Sequence, residues 1–174
     1  MANRLLSPTM NHIGMVEYVI IFLVGQVKRM NSDIKVRLAS VTDAEELSRL
    51  NQAFNGGDKR PPHQIRESLK INNELIAVAE IKGKVVGFGC AQSFYSFCYE
   101  EPQGEITELY VEEAARRRGI AGAIISCLEE NLRKRGVKDV RVLTGKRNDA
   151  AIKTYEHCNY VKGHELLLTK RIED

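Results

Sequence analysis

From Ile34 onward, apolar and polar positions alternate in short blocks separated by glycine, proline and asparagine. "IKVRLA", residues 34–39, has the pattern of a short strand. Thr42 is placed to cap a helix running through Phe54, with Glu45 at the third helical position completing a capping box. "NGGDKRPP" carries two glycines and two prolines and predicts a loop, and "HQIRESLKIN" a short amphipathic helix. "ELIAVAEIKGKVVGFGCAQSFYSFCY" reads as two strands joined by a tight turn at Lys82-Gly83-Lys84, and "GEITELYV", residues 104–111, as another strand.

A helix follows from about Ile120 to Arg135. Ile120, Ile124, Leu128 and Leu132 recur every four positions and form one apolar face, and Gly136 ends it. "DVRVLT" (139–144) alternates as a strand, "NDAAIKTYEHC" (148–158) predicts a helix, and "ELLLTKR" (165–171) a closing strand. No internal repeat or low-complexity tract interrupts the series. Strands first, then strand–helix–strand–helix–strand, imply an α/β domain with a mixed sheet flanked by helices.

Residues 1–33 stand apart. "MVEYVIIFLVGQV" holds an apolar core of only Val19 to Val24 and carries Glu17, far short of the roughly 20 residues of a membrane span. No small-residue cleavage site follows, so a secretory signal fits poorly. The reading is an N-terminal extension, with the domain occupying residues 34–174.

Composition changes the picture little. Hydrophobic residues at 43% and charged residues at 28% are ordinary for a globular protein, and a net charge of +3 suits an anionic small ligand without arguing for nucleic acid. Cys90, Cys98, Cys127 and Cys158 show no CxxC spacing and read as buried free thiols of a reducing, cytoplasmic compartment. The four histidines form no HExxH or His/Cys pairing, so no metal site is expected.

One stretch carries chemistry. In "AARRRGIAGAII", residues 114–125, three arginines precede a glycine-punctuated helix start. Gly119 and Gly122 flank Ile120-Ala121 where a strand turns into a helix, an arrangement that lets backbone N–H groups meet an anion. The competing reading is a solvated turn. No GxxxxGK[ST] or GxGxxG can be drawn, which excludes a P-loop and a dinucleotide fingerprint.

Arg116-Arg117-Arg118-Gly119-Ile120-Ala121 resembles the R/Q-x-x-G-x-G/A signature of the GNAT superfamily, the acetyl-CoA-dependent N-acetyltransferases. The preceding "ELYV" and the later "NDAAIKTYEHCNY", similar to the N-x-x-A-x-x-x-Y-E-x-x-G-[FY] pattern, follow that family in order and spacing. The resemblance covers about residues 34 to 170. Asn159 stands where glycine is usual, and asparagine also tolerates the left-handed conformation needed at a helix end.

The resemblance implies a mixed, mostly antiparallel sheet whose fourth and fifth strands, here 104–111 and 139–144, splay to admit acetyl-CoA as co-substrate. Amides from Arg117 through Ala123, with Arg116, Arg117 and Arg118 adding attraction, would cradle the pyrophosphate through Gly119, Ile120, Ala121 and Gly122. Leu109 and Val111 would run along the pantetheine arm, and an N–H near Tyr110 or Val111 would polarise the thioester oxygen. Tyr155 would be the general acid, its alternative being packing with Ile152. Asn148 has a strong capping reading beside a cofactor contact. Glu105 and Glu108 are the candidate bases. Strand alternation sends residues three apart to opposite faces unless a bulge intervenes.

The acceptor would meet the 54–64 loop, the 61–72 helix and the 92–103 connection. There Phe94, Tyr95, Phe97 and Tyr99, half of them core by alternation, sit beside Glu100 and Glu101. A primary amine of a small molecule is the first reading. Protein N-terminal or lysine acetylation, or a non-catalytic acetyl-CoA-binding regulator, are the alternatives. Nucleic-acid binding through Arg116–Arg118, Lys134, Arg135 and Lys138 lacks a stacking surface and meets Glu112, Glu113, Glu129 and Glu130 nearby. Neither a nucleic-acid nor a membrane partner is expected, and the state is monomer or homodimer.

Overall fold

The computed structural model describes residues 33–71 and 73–172. The N-terminal extension, apart from its last residue, lies outside them. Among the described residues, five strands form one sheet in sequence order: β1 (Ile34–Leu38), β2 (Leu75–Ile81), β3 (Lys84–Phe94), β4 (Gln103–Val111) and β5 (Val140–Val142). Neighbours are antiparallel except β4 and β5, which run parallel. Helices α1 (Ala44–Asn55) and α2 (Pro62–Ile71) connect β1 to β2, α3 (Ile120–Lys134) connects β4 to β5, and α4 (Asp149–His157) follows β5.

Each face of the sheet carries its own core. On one, Ile120, Ile124, Leu128 and Leu132 of α3 are all at most 2% exposed, packed with Ala77, Ala79, Ala91 and Ile106. Each such side chain contributes about 1.5–3 kcal/mol of transfer free energy. The helix lies close because β3 has no side chain in its way at Gly89, where a Cβ would come within 2.6 Å of Ile124 Cγ2. On the other face, Ala44, Leu47 and Leu50 of α1 and Ile65 of α2 cover Val78, Val85, Phe88 and Cys90.

Both long-range helix ends close in the same way. Val137 N–H bonds Leu132 C=O and Gly136 N–H bonds Arg133 C=O after α3. Tyr160 N–H bonds Tyr155 C=O and Asn159 N–H bonds Glu156 C=O after α4, with Asn159 at φ +67°. Each is a six-to-one and five-to-two pair, the Schellman arrangement, and asparagine takes the usual place of glycine in the second.

Four expectations need correction. The capping box is at Ser40, ahead of a 3-10 turn (Val41–Asp43) that leads into α1: the Ser40 N–H donates to Asp43 Oδ2 at 2.7 Å, and the box expected at Thr42 with Glu45 does not form the cap. Arg37 grips the same carboxylate with two bonds of 2.7 Å and also pairs with Glu80, so a cross-sheet contact decides between two overlapping box patterns. β5 spans three residues rather than six.

Residues 165–171 form no strand, and Leu166, Leu167 and Leu168 are exposed. Three consecutive leucines put side chains on both faces of an extended chain, so no single face is available to fix a register. Finally, β3 stops at Phe94, which leaves Tyr95, Phe97, Cys98 and Tyr99 exposed in the connection rather than half of the aromatics, and Cys98, in a core.

Candidate active site

The sheet forks between β4 and β5. Their ladder holds three residue pairs, Gly104–Val140, Glu105–Arg141 and Ile106–Val142. Beyond Ile106, β4 continues to Val111 with no β5 partner. On its other side β4 pairs with β3 throughout, but Cys90 faces Glu108 while Ala91 faces Ile106. Thr107 is therefore an extra residue, a bulge placed where the fork opens.

The bulge settles the orientation of the two glutamates. Ile106 and Leu109 both pack in the core under α3, although they are three residues apart. Counting outward from each, Glu105 and Glu108 fall together on the opposite face, the one covered by α1 and α2. Plain alternation, which separates them, is corrected by the bulge.

Their surroundings differ. Glu105 accepts from Arg141 Nε at 2.9 Å, and the same guanidinium lies over the Phe94 ring at 5.1 Å. Glu108 is exposed and forms no salt bridge among the described residues. Its negative charge is felt by Cys90, Glu74 and Tyr155. Glu74 is half-buried just before β2. Burial holds its carboxyl above the usual range, with a bond to Gln92 opposing, Glu108 reinforcing and Arg60 opposing. Glu74 and Gln92 had no local signal in the chain, since only the β2–β3 register brings them together, and Arg60 comes from the loop between α1 and α2.

Tyr155, on α4, is 8% exposed and belongs to the core under α3. Its ring meets Tyr160 edge-on at 5.6 Å, and the Tyr160 hydroxyl donates to Glu129 Oε1 at 2.9 Å. Burial first, then Glu108 and Cys158, push the Tyr155 phenol above its ordinary value. The ring packs as core while the hydroxyl remains protonated at neutral pH, so both roles foreseen for it are compatible.

The arginine-glycine stretch forms the turn between β4 and α3. Arg116 Nε donates to the Val111 carbonyl at 3.0 Å, which commits that side chain to the strand end, while Arg117 and Arg118 are exposed. Arg117 has φ +63° and Gly119, the N-cap of α3, φ +77°. Gly119 has no side-chain cap to offer, and the first helical bond from within α3 runs from Ala123 N–H to Gly119 C=O. The amides of Ile120, Ala121 and Gly122 precede that bond at the positive end of a helix of 15 residues. A Cβ at Gly119 would meet nothing within 4 Å among the described residues, so its glycine is required by backbone angle rather than by crowding from them.

Asn148 caps α4, its side chain accepting from Ala151 N–H at 3.2 Å. The Thr107 hydroxyl is buried and has no hydrogen-bond partner among the described residues. Such a group costs about 1–3 kcal/mol in a folded protein. A cavity of about 580 Å³ opens where β4 and β5 begin, at the opposite end of their ladder from the fork. Tyr99, Glu100, Glu101, Asp139 and Arg141 line it. Among the described residues there is no metal-binding cluster of His, Cys, Asp or Glu, and no helix is long and apolar enough to cross a membrane.

The chain is similar to known acetyltransferases. An acetyltransferase of Sodalis glossinidius is 37% identical over 116 residues, 66% of this chain and 78% of that one. An aminoglycoside acetyltransferase from an uncultured soil metagenomic sample, solved with trehalose, superposes with a TM-score of 0.73 at 20% identity, covering 83% of this chain and 99% of that one. A ribosomal-protein-alanine N-acetyltransferase of Brucella melitensis biovar Abortus 2308 gives 0.69 at 21% identity, covering 80% and 99%. The sequence model of the acetyltransferase (GNAT) family matches residues 43–160. With the forked sheet and the open helix start, this places the chain in the GNAT family, whose members acetylate amines from acetyl-CoA.

Proposed function

We propose that the protein acetylates a primary amine of a small cationic molecule, by direct attack in a complex that holds both substrates. The bulge at Thr107 carries this reading. It sets the exposed Glu108 on the same face as Glu105, within electrostatic reach of Tyr155.

Acetyl-CoA supplies an activated acyl thioester. The residues present fit it: the Ile120, Ala121 and Gly122 amides are poised for a pyrophosphate, within a cradle running from Arg117 to Ala123, and the free β4 edge offers Leu109, Tyr110 and Val111 backbone groups to an extended arm. A backbone N–H polarising the thioester oxygen contributes about 3 kcal/mol to lowering the barrier. Glu108 takes a proton from the substrate ammonium, directly or through water, and Tyr155 donates its phenolic proton to the departing thiolate. Glu105, tied to Arg141, orients the substrate instead.

A small acceptor is supported by the 580 Å³ cavity with Glu100, Glu101 and Asp139 in its wall, a size suited to a small molecule. The structural likeness to aminoglycoside acetyltransferases points the same way. Likeness to a ribosomal-protein-alanine N-acetyltransferase keeps a peptide amine as the second reading. The test is thiol release from acetyl-CoA against polyamines, aminoglycosides and peptides with free α-amino or lysine groups. Turnover confined to peptides overturns the small-molecule reading, and CoA binding without turnover on any amine overturns catalysis.

A further inference from the structure

The Thr107 hydroxyl is a buried donor with no partner among the described residues, and it stands at one particular place. The β4–β5 ladder ends at Ile106–Val142, so Thr107 is the first β4 residue on the open side of the fork. The anion turn begins beyond Val111, at the other end of the free edge. From Val111 back to Thr107 is four strand residues, about 13 Å. A thioester ligand anchored by its pyrophosphate at Gly119 and laid along that edge reaches the closed end with its acyl group. Thr107 is the bulge residue itself, between Ile106, which packs under α3, and Glu108, which lies on the opposite face.

Buried polar groups in folded proteins are almost always satisfied, and the exceptions call for a reason. We propose that the Thr107 hydroxyl donates a hydrogen bond to the acyl carbonyl oxygen of bound acetyl-CoA, a catalytic contact beside the backbone donors of β4. The proposal rests on acetyl-CoA occupying the fork. It makes the hydroxyl a group that the ligand-free protein leaves unsatisfied and the acyl-loaded protein satisfies. The orphan hydroxyl is then a recognition element for the acyl group rather than for the CoA carrier, since CoA itself has no such carbonyl.

Thr107→Val keeps the shape of the side chain and removes the donor, and Thr107→Ser keeps the donor. Calorimetric titrations of all three proteins with acetyl-CoA and with CoA separate the two ligands. The valine variant is expected to bind acetyl-CoA about fivefold more weakly, CoA within about twofold of wild type, and the serine variant both normally. Infrared spectra of acetyl-CoA isotopically labelled at the carbonyl should show the bound stretch shifted toward its free-solution frequency in the valine variant. The ligand-free valine variant should melt at or above the wild-type temperature.

Equal weakening of both ligands, or an unmoved stretch with a loss of ligand-free stability, overturns the proposal, because the hydroxyl then serves the arm or the fold. Should the valine variant not fold, Thr107→Ala carries the same two titrations. Failure of the wild-type protein to bind CoA overturns the acetyl-CoA reading itself.

Discussion

Burial, and after it the charge of Glu108 on β4, keep the proton on the Tyr155 phenol of α4. A proton donor needs its proton at working pH, and a carboxylate placed nearby to accept one secures that by electrostatics alone. Tyr155→Phe should therefore leave CoA affinity within about twofold while lowering kcat by about a hundredfold. Because the ring still meets Tyr160, thermal stability should change little. A wild-type rate with the best amine would reduce Tyr155 to packing. The wild-type rate should show no loss attributable to this phenol below about pH 10, since its value is raised.

The two glutamates should separate in kinetics. Glu108→Gln is expected to cut kcat/KM by about a hundredfold and to let the Tyr155 phenol ionise at lower pH, the sign expected when a nearby negative charge is removed. Glu105→Gln frees Arg141 and should act mainly on KM for a cationic amine. Steady-state kinetics with a spectroscopic tyrosine titration would decide it, and identical effects from both changes would contradict the assignment.

At the anion turn, Gly119→Val should abolish CoA binding more thoroughly than Arg117→Ala. The glycine occupies φ +77°, which a β-branched residue rarely adopts, whereas Arg117 is exposed and adds attraction that salt screens over about 10 Å at 0.1 M. Arg117→Ala should weaken binding about twofold at that salt and more below it. Calorimetry at two ionic strengths, with circular dichroism to establish folding, reads both effects. Normal binding by the valine variant would make the arginines the site.

Asp43 offers a prediction on stability. Its bond to Arg37 holds the carboxyl below the usual aspartate range, against opposing burial. A depressed carboxylate stabilises above the unfolded value, and that contribution is lost as pH falls through the lower folded one. Asp43→Asn should cost about 2–3 kcal/mol at pH 7, and the gap to wild type should close below about pH 4. Urea denaturation at several pH values measures it, and a gap independent of pH would show that packing, not charge, is lost.

What could be read along the chain was whatever a single element decides for itself. The four-residue spacing of Ile120, Ile124, Leu128 and Leu132 became a buried stripe, and Asn159 took the left-handed angle expected of it. The Lys82-Gly83 turn closed its hairpin between Ile81 and Lys84. What could not be read depends on pairing between distant segments. Nothing local in "GEITELYV" distinguishes a regular strand from one that bulges at Thr107, so the faces of Glu105 and Glu108 stayed open. Glu74 reaches Gln92 through the β2–β3 register, and Ser40 wins over Thr42 because Arg37 of β1, paired with Glu80 on the neighbouring strand, holds Asp43. At "ELLLTKR" composition suggested a strand, but the pattern lacked the alternation to place one.

The short β4–β5 ladder has a consequence for selectivity among acyl groups. In the proposed function the depth of the slot is set where the last backbone pair, Ile106 with Val142, closes it. A floor made of main chain works as a ruler that side-chain substitutions cannot move. Trimming a residue near the fork widens the slot but does not deepen it, so longer acyl chains meet the same stop. Only a change in strand register, which would turn every side chain of β5 to the opposite face, could reset the length that fits.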